Sequence, residues 1–371
     1  MSTILLLSHD STLTGAPLSL GRFASALAEE RPQDRYILGL PRSGPLEQAL
    51  KTGTELIHYR TERWKGGGDV TSRWSRRAFR RILLSVQPAT VVANTLECFQ
   101  AVLAAQDLGI PCVWLIHELL ENYRNRRELA GMKQAAAAAT RIVFNSSASQ
   151  SGLGLLGGNL QEKTAIVPPP VPAVPAARPF QVPGRTRAGC LGDICPPKRQ
   201  LEALTALAPI FRDFPAFTLR LIGRVPPRFT AYRGEIEALV QKSGWGKRVE
   251  FTGETTNPGS ALSQLDFLLH PSRAESFGLA VAESLAAGLP VVSSSRGGPE
   301  ELIETGRTGL LVTPGDGPAL ELAVRRILSD PEWARALGER GREAIGKKLS
   351  FSASARALQK QIELAAAGGQ G

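Results

Sequence analysis

The sequence predicts an α/β protein in which two doubly wound halves follow one another along the chain. Its 371 residues are too many for one typical hydrophobic core and suit two domains of ordinary size. In each half, short apolar segments alternate with small-residue loops and helical patterns, which is typical of parallel sheets covered by helices. The composition, 43% hydrophobic and 21% charged, is that of a folded protein and not of a disordered one.

A run of prolines predicts where the chain divides. Residues 168–175 read PPPVPAVP, and three consecutive prolines cannot lie inside a helix or a sheet. They form a stiff, extended connector instead. We therefore expect a first domain over residues 1–170, a proline-rich linker over 171–187 and a second domain over 188–350.

The first half opens with an apolar strand at residues 4–8. A loop that includes His9 and Asp10 follows, and then a helix that we expect to begin at Pro17. Further apolar segments predict strands at residues 36–40, 55–59, 90–93 and 111–116, and a last strand of this half at residues 141–144. Ligands of such a half bind at the carboxyl ends of its parallel strands, and His117 directly follows one of these strands.

A basic segment, residues 60–81, stands apart within this half. It holds eight basic and two acidic residues, with Trp64, Trp74 and Phe79 between them. Its second part predicts a helix. Arginines beside aromatic residues suit a helix that lies on an anionic membrane, or the lip of a binding site. An ordinary surface helix with buried aromatic rings and solvated arginines fits the pattern as well.

The second half repeats the arrangement. A strand at residues 188–191 leads into the loop GDICPPKR and a helix from about Gln200. Later segments predict strands at residues 218–222, 249–251, 267–270, 291–293 and 310–312, and helices at 235–242, 318–329, 331–347 and 351–367. We interpret His270, at the end of the third of these strands, as a structural residue.

The stretch from residue 272 to residue 295, SRAESFGLAVAESLAAGLPVVSSS, carries the strongest signal. It predicts a polar loop, a helix that starts near Gly278 and ends at Gly288, and a buried strand. The N–H groups of Gly278 and Leu279 have no partner at the helix start, and such an end attracts anions. Two carboxylates flank it, Glu275 in the loop and Glu283 about one turn into the helix. The arrangement suits a diphosphate with a sugar hydroxyl on either side, although two solvated glutamates on a surface helix would give the same spacing.

The longer pattern around this stretch is much less common. The motifs occur at tight spacing in the order Pro271-Ser272, Glu275-Ser276-Phe277-Gly278, Glu283, Ala287-Gly288-Leu289-Pro290-Val291-Val292, Gly297-Gly298, Glu301 and Gly309-Leu310-Leu311-Val312. This pattern closely resembles the nucleotide-sugar half of the family 4 retaining glycosyltransferases. The resemblance implies a GT-B fold, with two facing Rossmann-like domains, a cleft between them, and a C-terminal helix, within residues 351–371, that crosses back to the first domain.

The resemblance also implies roles for residues of the second half. Glu275 would contact hydroxyls of the donor sugar, and Glu283 those of the ribose. Lys198 and the N–H groups of Gly278 and Leu279 would hold the diphosphate. The full set of implied donor-binding residues is Gly15, Lys198, Arg199, Gly223, Gly253, Glu275, Phe277, Gly278, Leu279 and Glu283.

One position departs from the family pattern. Members commonly carry an arginine directly after the glycine of the first loop, and here Asp193 stands in its place. An acidic side chain would repel phosphate. We therefore expect Asp193 to point away from the donor, or Arg199 to compensate its charge.

Matches in the first half are fewer. Family members have two glycines in the loop after the first strand of the chain, and only Gly15 matches them here. His117 stands where family members place a histidine near the transferring carbon, so that His117, Glu275 and Lys198 form the expected catalytic set. For the acceptor we name His9, Asp10, Arg124, Arg126 and Arg127.

We therefore expect a retaining glycosyltransferase of the hexosyltransferase type, which moves a sugar from a UDP or GDP donor to a glycan, glycolipid or small molecule. The alternatives are a GT-B nucleotide-sugar 2-epimerase and a non-catalytic module that binds anionic surfaces. The chain has no D-x-D motif, so that we expect no metal and no cofactor besides the donor substrate.

The net charge of +10 indicates a negatively charged partner, but no nucleic-acid-binding motif accompanies it. The four cysteines lack the pairing of a zinc site and predict buried free thiols. The N-terminus reads as a strand and not as a signal peptide, and no run is apolar enough to span a membrane. We expect a cytoplasmic protein, with peripheral contact to the inner membrane face through residues 60–81 as a further hypothesis.

Overall fold

The computed structural model describes residues 1–50, 53–59, 73–124, 128–172 and 186–368. It divides into two compact units. The first unit comprises Met1–Pro170 together with Phe351–Gly371, and the second comprises Val171–Ser350. Most of the proline-rich linker predicted over residues 171–187 lies outside the described residues.

The first unit is built on a parallel sheet that has seven strands within the described residues. The strands are β1 (Thr3–Leu7), β2 (Arg35–Leu40), β3 (Thr54–His58), β4 (Thr90–Asn94), β5 (Cys112–Ile116), β6 (Arg141–Phe144) and β7 (Thr164–Ile166). Their order is β3-β2-β1-β4-β5-β6-β7, and β1 pairs with both β2 and β4. The prediction that the strand at residues 141–144 is the last of this half is wrong, because β7 pairs with β6 beyond it. The central strands are almost fully buried, which explains their continuous apolar sequences.

The crossover segments of this unit are helical. They include α1 (Gly15–Glu30), α2 (Arg73–Val86), α3 (Phe99–Asp107), α4 (Leu129–Ala138) and α5 (Ser147–Gln150). The helix predicted from Pro17 begins two residues earlier, and the N–H of Leu18 donates to the carbonyl of Thr14 at 3.0 Å. Proline fits inside this first turn because the N–H that it lacks would have no partner there.

The second unit repeats the design with six parallel strands in the described part of the chain. The strands are β8 (Thr186–Leu191), β9 (Phe217–Ile222), β10 (Val249–Gly253), β11 (Phe267–His270), β12 (Val291–Ser294) and β13 (Leu310–Val312). Their order is β10-β9-β8-β11-β12-β13. The helices are α6 (Gln200–Ala206), α7 (Ala208–Asp213), α8 (Thr230–Lys242), α9 (Pro258–Leu262), α10 (Leu279–Ala286), α11 (Pro299–Leu302), α12 (Gly317–Ser329) and α13 (Pro331–Lys348).

The last helix, α14 (Phe351–Gly368), returns to the first unit as predicted. It packs against α1 and lies next to β4, β5 and β6. Tyr36 Oη donates a hydrogen bond to Gln359 Oε1 at 3.3 Å, and Arg141 Nε donates to Gln361 Oε1 at 2.9 Å. The two-domain α/β fold predicted from the sequence is confirmed.

In both sheets the order of strand addition reverses at one point, between β1 and β4 in the first unit and between β8 and β11 in the second. Loops that leave neighbouring strands on opposite sides of such a point open a crevice at the carboxyl edge, where doubly wound sheets bind their ligands. The predicted site residues His9, Gly15, Lys198 and Glu275 all lie in or next to these loops.

Two further sequence predictions concern the membrane and the cysteines. Among the described helices, none combines the length and the apolar character that a membrane crossing requires. The four cysteines, Cys98, Cys112, Cys190 and Cys195, are free and buried, as predicted.

Candidate functional site

A partly buried ion pair marks the switch point of the second sheet. Lys198 lies in the loop after β8 and donates a hydrogen bond to Glu275 Oε1 in the loop after β11. The backbone joins the two loops, because the N–H of Arg273 donates to the carbonyl of Pro197 at 2.8 Å. Burial alone would lower the pKa of Lys198, but the charge of Glu275 and their hydrogen bond raise it above its usual value.

A histidine that the sequence analysis took as structural completes this pair. His270 ends β11 with 4% of its side chain exposed, and its Nε2 lies 3.1 Å from Glu275 Oε1. Ser272 Oγ lies 3.2 Å from the same nitrogen. Burial would raise the pKa of Glu275, yet Lys198 and His270 together hold it well below its usual range. Glu275 is therefore fixed as a carboxylate by two partners.

The acidic residue that departs from the family pattern has a partner of its own. Arg224, which follows β9, donates from Nε and Nη2 to the two carboxylate oxygens of Asp193 at 3.0 and 3.3 Å. Asp193 is thus compensated by Arg224, and the expectation that Arg199 would do so is wrong. Arg199 precedes α6 in a left-handed conformation, with φ of 55°. It lines a small cavity together with Ser294, Thr313 and Gly315.

The helix after Glu275 begins as the sequence predicts. Gly278 is the residue before α10 and has a φ of 88°, which a glycine adopts without strain. The N–H of Gly298 donates to the carbonyl of Glu275 at 2.9 Å and fixes the loop ahead of the helix. Glu283 lies about one turn into α10 and is 3% exposed. Phe277 packs in the core of the unit and Leu279 packs against it.

The two glycines at the neighbouring strand ends lie in close backbone contact. The N–H of Gly223 donates to the carbonyl of Gly253 at 2.8 Å. A Cβ at Gly223 would lie only 2.0 Å from the carbonyl oxygen of Gly192, so that no other residue fits there. The ends of β8, β9 and β10 therefore form a flat, closely packed backbone edge.

In the first unit the predicted His9 lies near enough to His117 for its charge to act on that ring. His117 follows β5 and His9 follows β1, and the buried atoms His117 Nε2 and His9 Nδ1 make no hydrogen bond within the described residues. Burial and the neighbouring His9 lower the pKa of His117 to about 3. Burial also lowers the pKa of His9, against the opposing charges of Glu97 and Asp10. Both rings are therefore held as neutral imidazoles.

A glutamate that the sequence analysis missed holds this histidine loop in place. The carboxylate of Glu118 accepts the N–H of Leu96 at 3.2 Å and the N–H of His117 at 2.9 Å. Burial raises the pKa of Glu118 to about 7, although these two hydrogen bonds oppose the shift. Asn145 Nδ2 also donates to the carbonyl of His117, at 3.4 Å. No sequence motif indicates this role, because the partners come from two different strand ends.

The other predicted residues of this unit lie around the loop after β1. Asp10 accepts the N–H of Ser11 at 2.7 Å and the hydroxyl of Thr12 at 3.1 Å, and so shapes the loop itself. Gly15 is exposed, and a Cβ added there would meet nothing within 4 Å. The packing of the unit therefore does not require a glycine at this position.

Of the arginines predicted to bind an acceptor or a membrane, the structure describes only some. Arg124 is exposed, whereas Arg126 and Arg127 lie outside the described residues, as do residues 60–72 of the basic segment. On α2, Arg76 and Arg80 both pair with Asp107 of α3, at 2.5 and 3.2 Å. In the part of the chain that the structure describes, no three His, Cys, Asp or Glu side chains form a metal-binding group.

Comparisons with known proteins agree with this geometry. Residues 182–344 match the family described as Glycosyl transferases group 1. The chain is 28% identical over 242 residues to the lipopolysaccharide core biosynthesis mannosyltransferase LpcC of Rhizobium leguminosarum bv. viciae, over 65% of this chain and 69% of that protein. It is 30% identical over 186 residues to the corresponding mannosyltransferase LpsB of Rhizobium meliloti, over 49% of this chain and 52% of that protein.

Solved structures share the whole fold. HepE of Anabaena, in complex with UDP and glucose, superposes with a TM-score of 0.84 at 20% identity, over 98% of this chain and all of that one. A sucrose-phosphate synthase of Thermosynechococcus elongatus superposes with a TM-score of 0.81 at 22% identity, over 97% and 98% of the two chains. The family match over residues 182–344, the similar named transferases and the shared two-unit fold together identify the chain as a glycosyltransferase of the GT-B fold.

Proposed function

We propose that this chain transfers a sugar from a nucleoside-diphosphate sugar to an acceptor hydroxyl, with retention of the anomeric configuration and without a metal ion. The observation that carries the proposal is the Lys198–Glu275–His270 chain at the start of α10. It places a cation and a carboxylate side by side at the switch point of a doubly wound sheet, next to the N–H groups that begin a helix. A diphosphate and a hydroxyl-bearing sugar are the complementary partners.

In the reaction, the bond between the anomeric carbon and the diphosphate oxygen breaks, and a bond from that carbon to the acceptor oxygen forms. The acceptor proton passes to the leaving diphosphate, so that no protein nucleophile is needed. Negative charge develops on the diphosphate as the bond breaks. Lys198 and the N–H groups of Gly278 and Leu279 stabilise that charge. Such stabilisation by preorganised donors is usually the largest single contribution to catalysis.

The two carboxylates of the motif divide the remaining donor contacts. Glu275 accepts hydrogen bonds from hydroxyls of the transferred sugar, and Glu283 accepts those of the ribose. The nucleotide base rests on the backbone edge at Gly223 and Gly253, so that side chains tell little about the base. UDP or GDP is the donor nucleotide; HepE of Anabaena, which shares the fold, is known in complex with UDP and with UDP-glucose.

The first unit supplies the acceptor side. His117 accepts a hydrogen bond from a sugar hydroxyl through its buried Nε2, and its lowered pKa keeps the ring neutral at neutral pH, with one nitrogen free to accept. His9, Asp10 and Arg124 bind the acceptor, and Gly15 leaves space for the donor phosphates. Because relatives act in lipopolysaccharide core biosynthesis, we propose a glycan or glycolipid acceptor.

A product assay tests the proposal. The purified chain is incubated with UDP- and GDP-hexoses and a lipid-linked oligosaccharide acceptor, with and without EDTA, and products are followed by NMR. We expect acceptor-dependent release of one nucleoside diphosphate, an α-linked product from an α-linked donor, and no effect of EDTA. A β-linked product or inhibition by EDTA contradicts the mechanism. A new epimer of the donor sugar without acceptor would favour the 2-epimerase.

We also propose that α2 contacts the anionic face of a membrane, where a glycolipid acceptor would reside. Arg77, Arg81 and Leu84 are exposed on this helix, and arginines beside an exposed leucine suit a lipid headgroup layer. Cosedimentation with vesicles rich in phosphatidylglycerol tests this, with phosphatidylcholine vesicles as the control. The double variant Arg77→Glu/Arg81→Glu should lose the binding, and equal binding of both vesicle types contradicts the proposal.

A further inference from the structure

A row of alternating charges crosses the carboxyl edge of the second sheet. It runs from Arg224 after β9 through Asp193 and Lys198 in the loop after β8 to Glu275 in the loop after β11. We propose that Arg224 is the second cation that binds the donor diphosphate, and that Asp193 holds it in place until the donor arrives. This inference rests on the proposed function, because it adds a residue to the diphosphate site.

The strand order brings these residues together. β9 is hydrogen-bonded to β8 along its full length, and the pairing continues into the loops, where the N–H of Ile194 donates to the carbonyl of Arg224 at 2.9 Å. On the other side of the loop, a Cβ at Gly192 would lie 3.9 Å from Lys198 Nζ. Asp193 is close enough to Lys198 for its charge to help raise the lysine pKa. Arg224 and Lys198 therefore flank the same short loop.

The charges of the row explain why one cation is insufficient. Lys198 is shared with Glu275, so that its attraction for a diphosphate is partly cancelled in the ligand-free protein. Arg224 is 33% exposed at its side chain, and Asp193 is 26% exposed, so that solvent and ligands reach the pair. A guanidinium fork fits phosphate as well as carboxylate. A diphosphate can therefore compete with Asp193 for Arg224, as it competes with Glu275 for Lys198.

The pattern also accounts for the departure at Asp193. The family resemblance implies a cation at this position, and the chain has an anion there instead. The cation stands on the adjacent strand end, bonded to that anion.

A simpler role must be separated from this one. Arg224 could serve only to neutralise Asp193, and then Arg224→Ala would weaken nucleotide binding because it leaves an unpaired carboxylate beside the phosphates. The double variant Asp193→Asn/Arg224→Ala distinguishes the two roles. If Arg224 only neutralises Asp193, its removal has no effect once Asp193 is an asparagine. If Arg224 binds the diphosphate, its removal still weakens nucleotide binding in that background.

The experiment is a calorimetric titration with UDP and GDP of the wild type, Arg224→Ala, Asp193→Asn and the double variant. The control is Arg220→Ala, because Arg220 lies on the same strand but pairs with Glu250 and Gln264. We expect Arg224→Ala to weaken binding of the preferred nucleotide by about 10- to 100-fold, and Asp193→Asn to strengthen it. Removing Arg224 from the Asp193→Asn background should again cost about tenfold or more, and Arg220→Ala should change affinity by less than about threefold.

The outcomes separate the inference from the function on which it rests. Equal affinity of the double variant and Asp193→Asn overturns the role of Arg224 while leaving the nucleotide site intact. An equal loss in Arg220→Ala also overturns it, because the effect would then be long-range charge alone. If the wild type binds neither nucleotide, the proposed function fails together with the inference. Thermal unfolding of each variant shows whether it is folded.

Discussion

The two sheets share one strand order but differ in the groups at their switch points. In the second unit the edge carries full charges that neutralise one another, Lys198 with Glu275 and Arg224 with Asp193. In the first unit it carries two partly buried imidazoles, His9 and His117, whose pKa values are lowered, so that both are neutral. The same backbone topology thus builds an ionic site and an uncharged polar one.

This difference matches two kinds of ligand. Paired charges can exchange partners with a charged group such as a diphosphate, whereas an unpartnered neutral imidazole can accept a hydrogen bond from a hydroxyl without attracting phosphate. The comparison therefore predicts that substitutions at the two edges affect different steps. Those in the second unit should change nucleotide affinity, and those in the first should change transfer alone.

Lys198→Ala should have the largest effect. It removes the cation at the leaving diphosphate and leaves Glu275 as a partly buried carboxylate without its main partner. We expect kcat/KM to fall by about 100- to 1,000-fold and nucleotide affinity to fall with it. Steady-state kinetics and calorimetry measure both. Lys347→Ala, which removes an exposed lysine paired with Glu343, is the control and should leave both values unchanged. A variant at Lys198 with normal nucleotide affinity would falsify the ionic half of the comparison.

Glu275→Gln should separate affinity from turnover. The neutral amide no longer competes for Lys198, so that UDP or GDP should bind as well as or better than to the wild type. Turnover should fall by about 10- to 100-fold, because the charged acceptor for the sugar hydroxyls is lost. Glu283→Ala is the counterpart, and it should weaken nucleotide binding. Equal losses of affinity and turnover in both variants would show that this division of roles is wrong.

The partly buried Glu118 predicts a dependence of stability on pH. Its pKa is raised to about 7, so that the folded first unit binds this proton more tightly than the unfolded chain does. The stabilising contribution is present below about pH 4.5 and is lost as the pH rises through 7. Between pH 5 and 8, the free energy of unfolding of the wild type should fall by about 2 kcal/mol relative to Glu118→Gln. Urea titrations at both pH values test this, and parallel curves contradict it.

His117→Ala tests the uncharged edge. Loss of one neutral hydrogen bond should lower kcat by about tenfold, with the dissociation constant of the nucleotide unchanged. His117→Gln keeps a hydrogen-bonding group and should recover part of the activity. If His117→Ala weakens nucleotide binding as much as Lys198→Ala does, the contrast between the two edges does not hold.

The smallest effect is expected at His270, which acts through Glu275. His270→Gln retains a donor to the carboxylate and should keep most of the activity, whereas His270→Ala should lower kcat by about fivefold. The pH dependence of kcat is measured for both variants as well. A positioning role predicts that only His270→Ala moves the acidic limb upward, because Glu275 then loses one of the partners that hold its pKa down. Identical profiles for both variants contradict this role.

Much of the fold is predictable because its signals are local. Apolar strands, small-residue loops and the proline run lie within short windows, and strand ends could be matched to residues such as Lys198, Glu275 and His117. The pairings between strand ends were not predictable. Arg224 meets Asp193 because β9 lies beside β8, and His270 meets Glu275 through the fold of a single loop. Glu118 holds Leu96 because β4 lies beside β5. The first and third of these contacts depend on the order of the strands, and the second on the conformation of a loop, and spacing along the sequence contains neither.

The most direct measurement is a calorimetric titration of the wild type and Lys198→Ala with UDP and GDP, in the presence of EDTA. The account predicts that one nucleoside diphosphate binds the wild type with micromolar affinity, and that Lys198→Ala weakens this binding by at least about tenfold. Absence of binding of either nucleotide, or equal affinity of the two proteins, would contradict the central claim that the charged edge of the second unit is a diphosphate site.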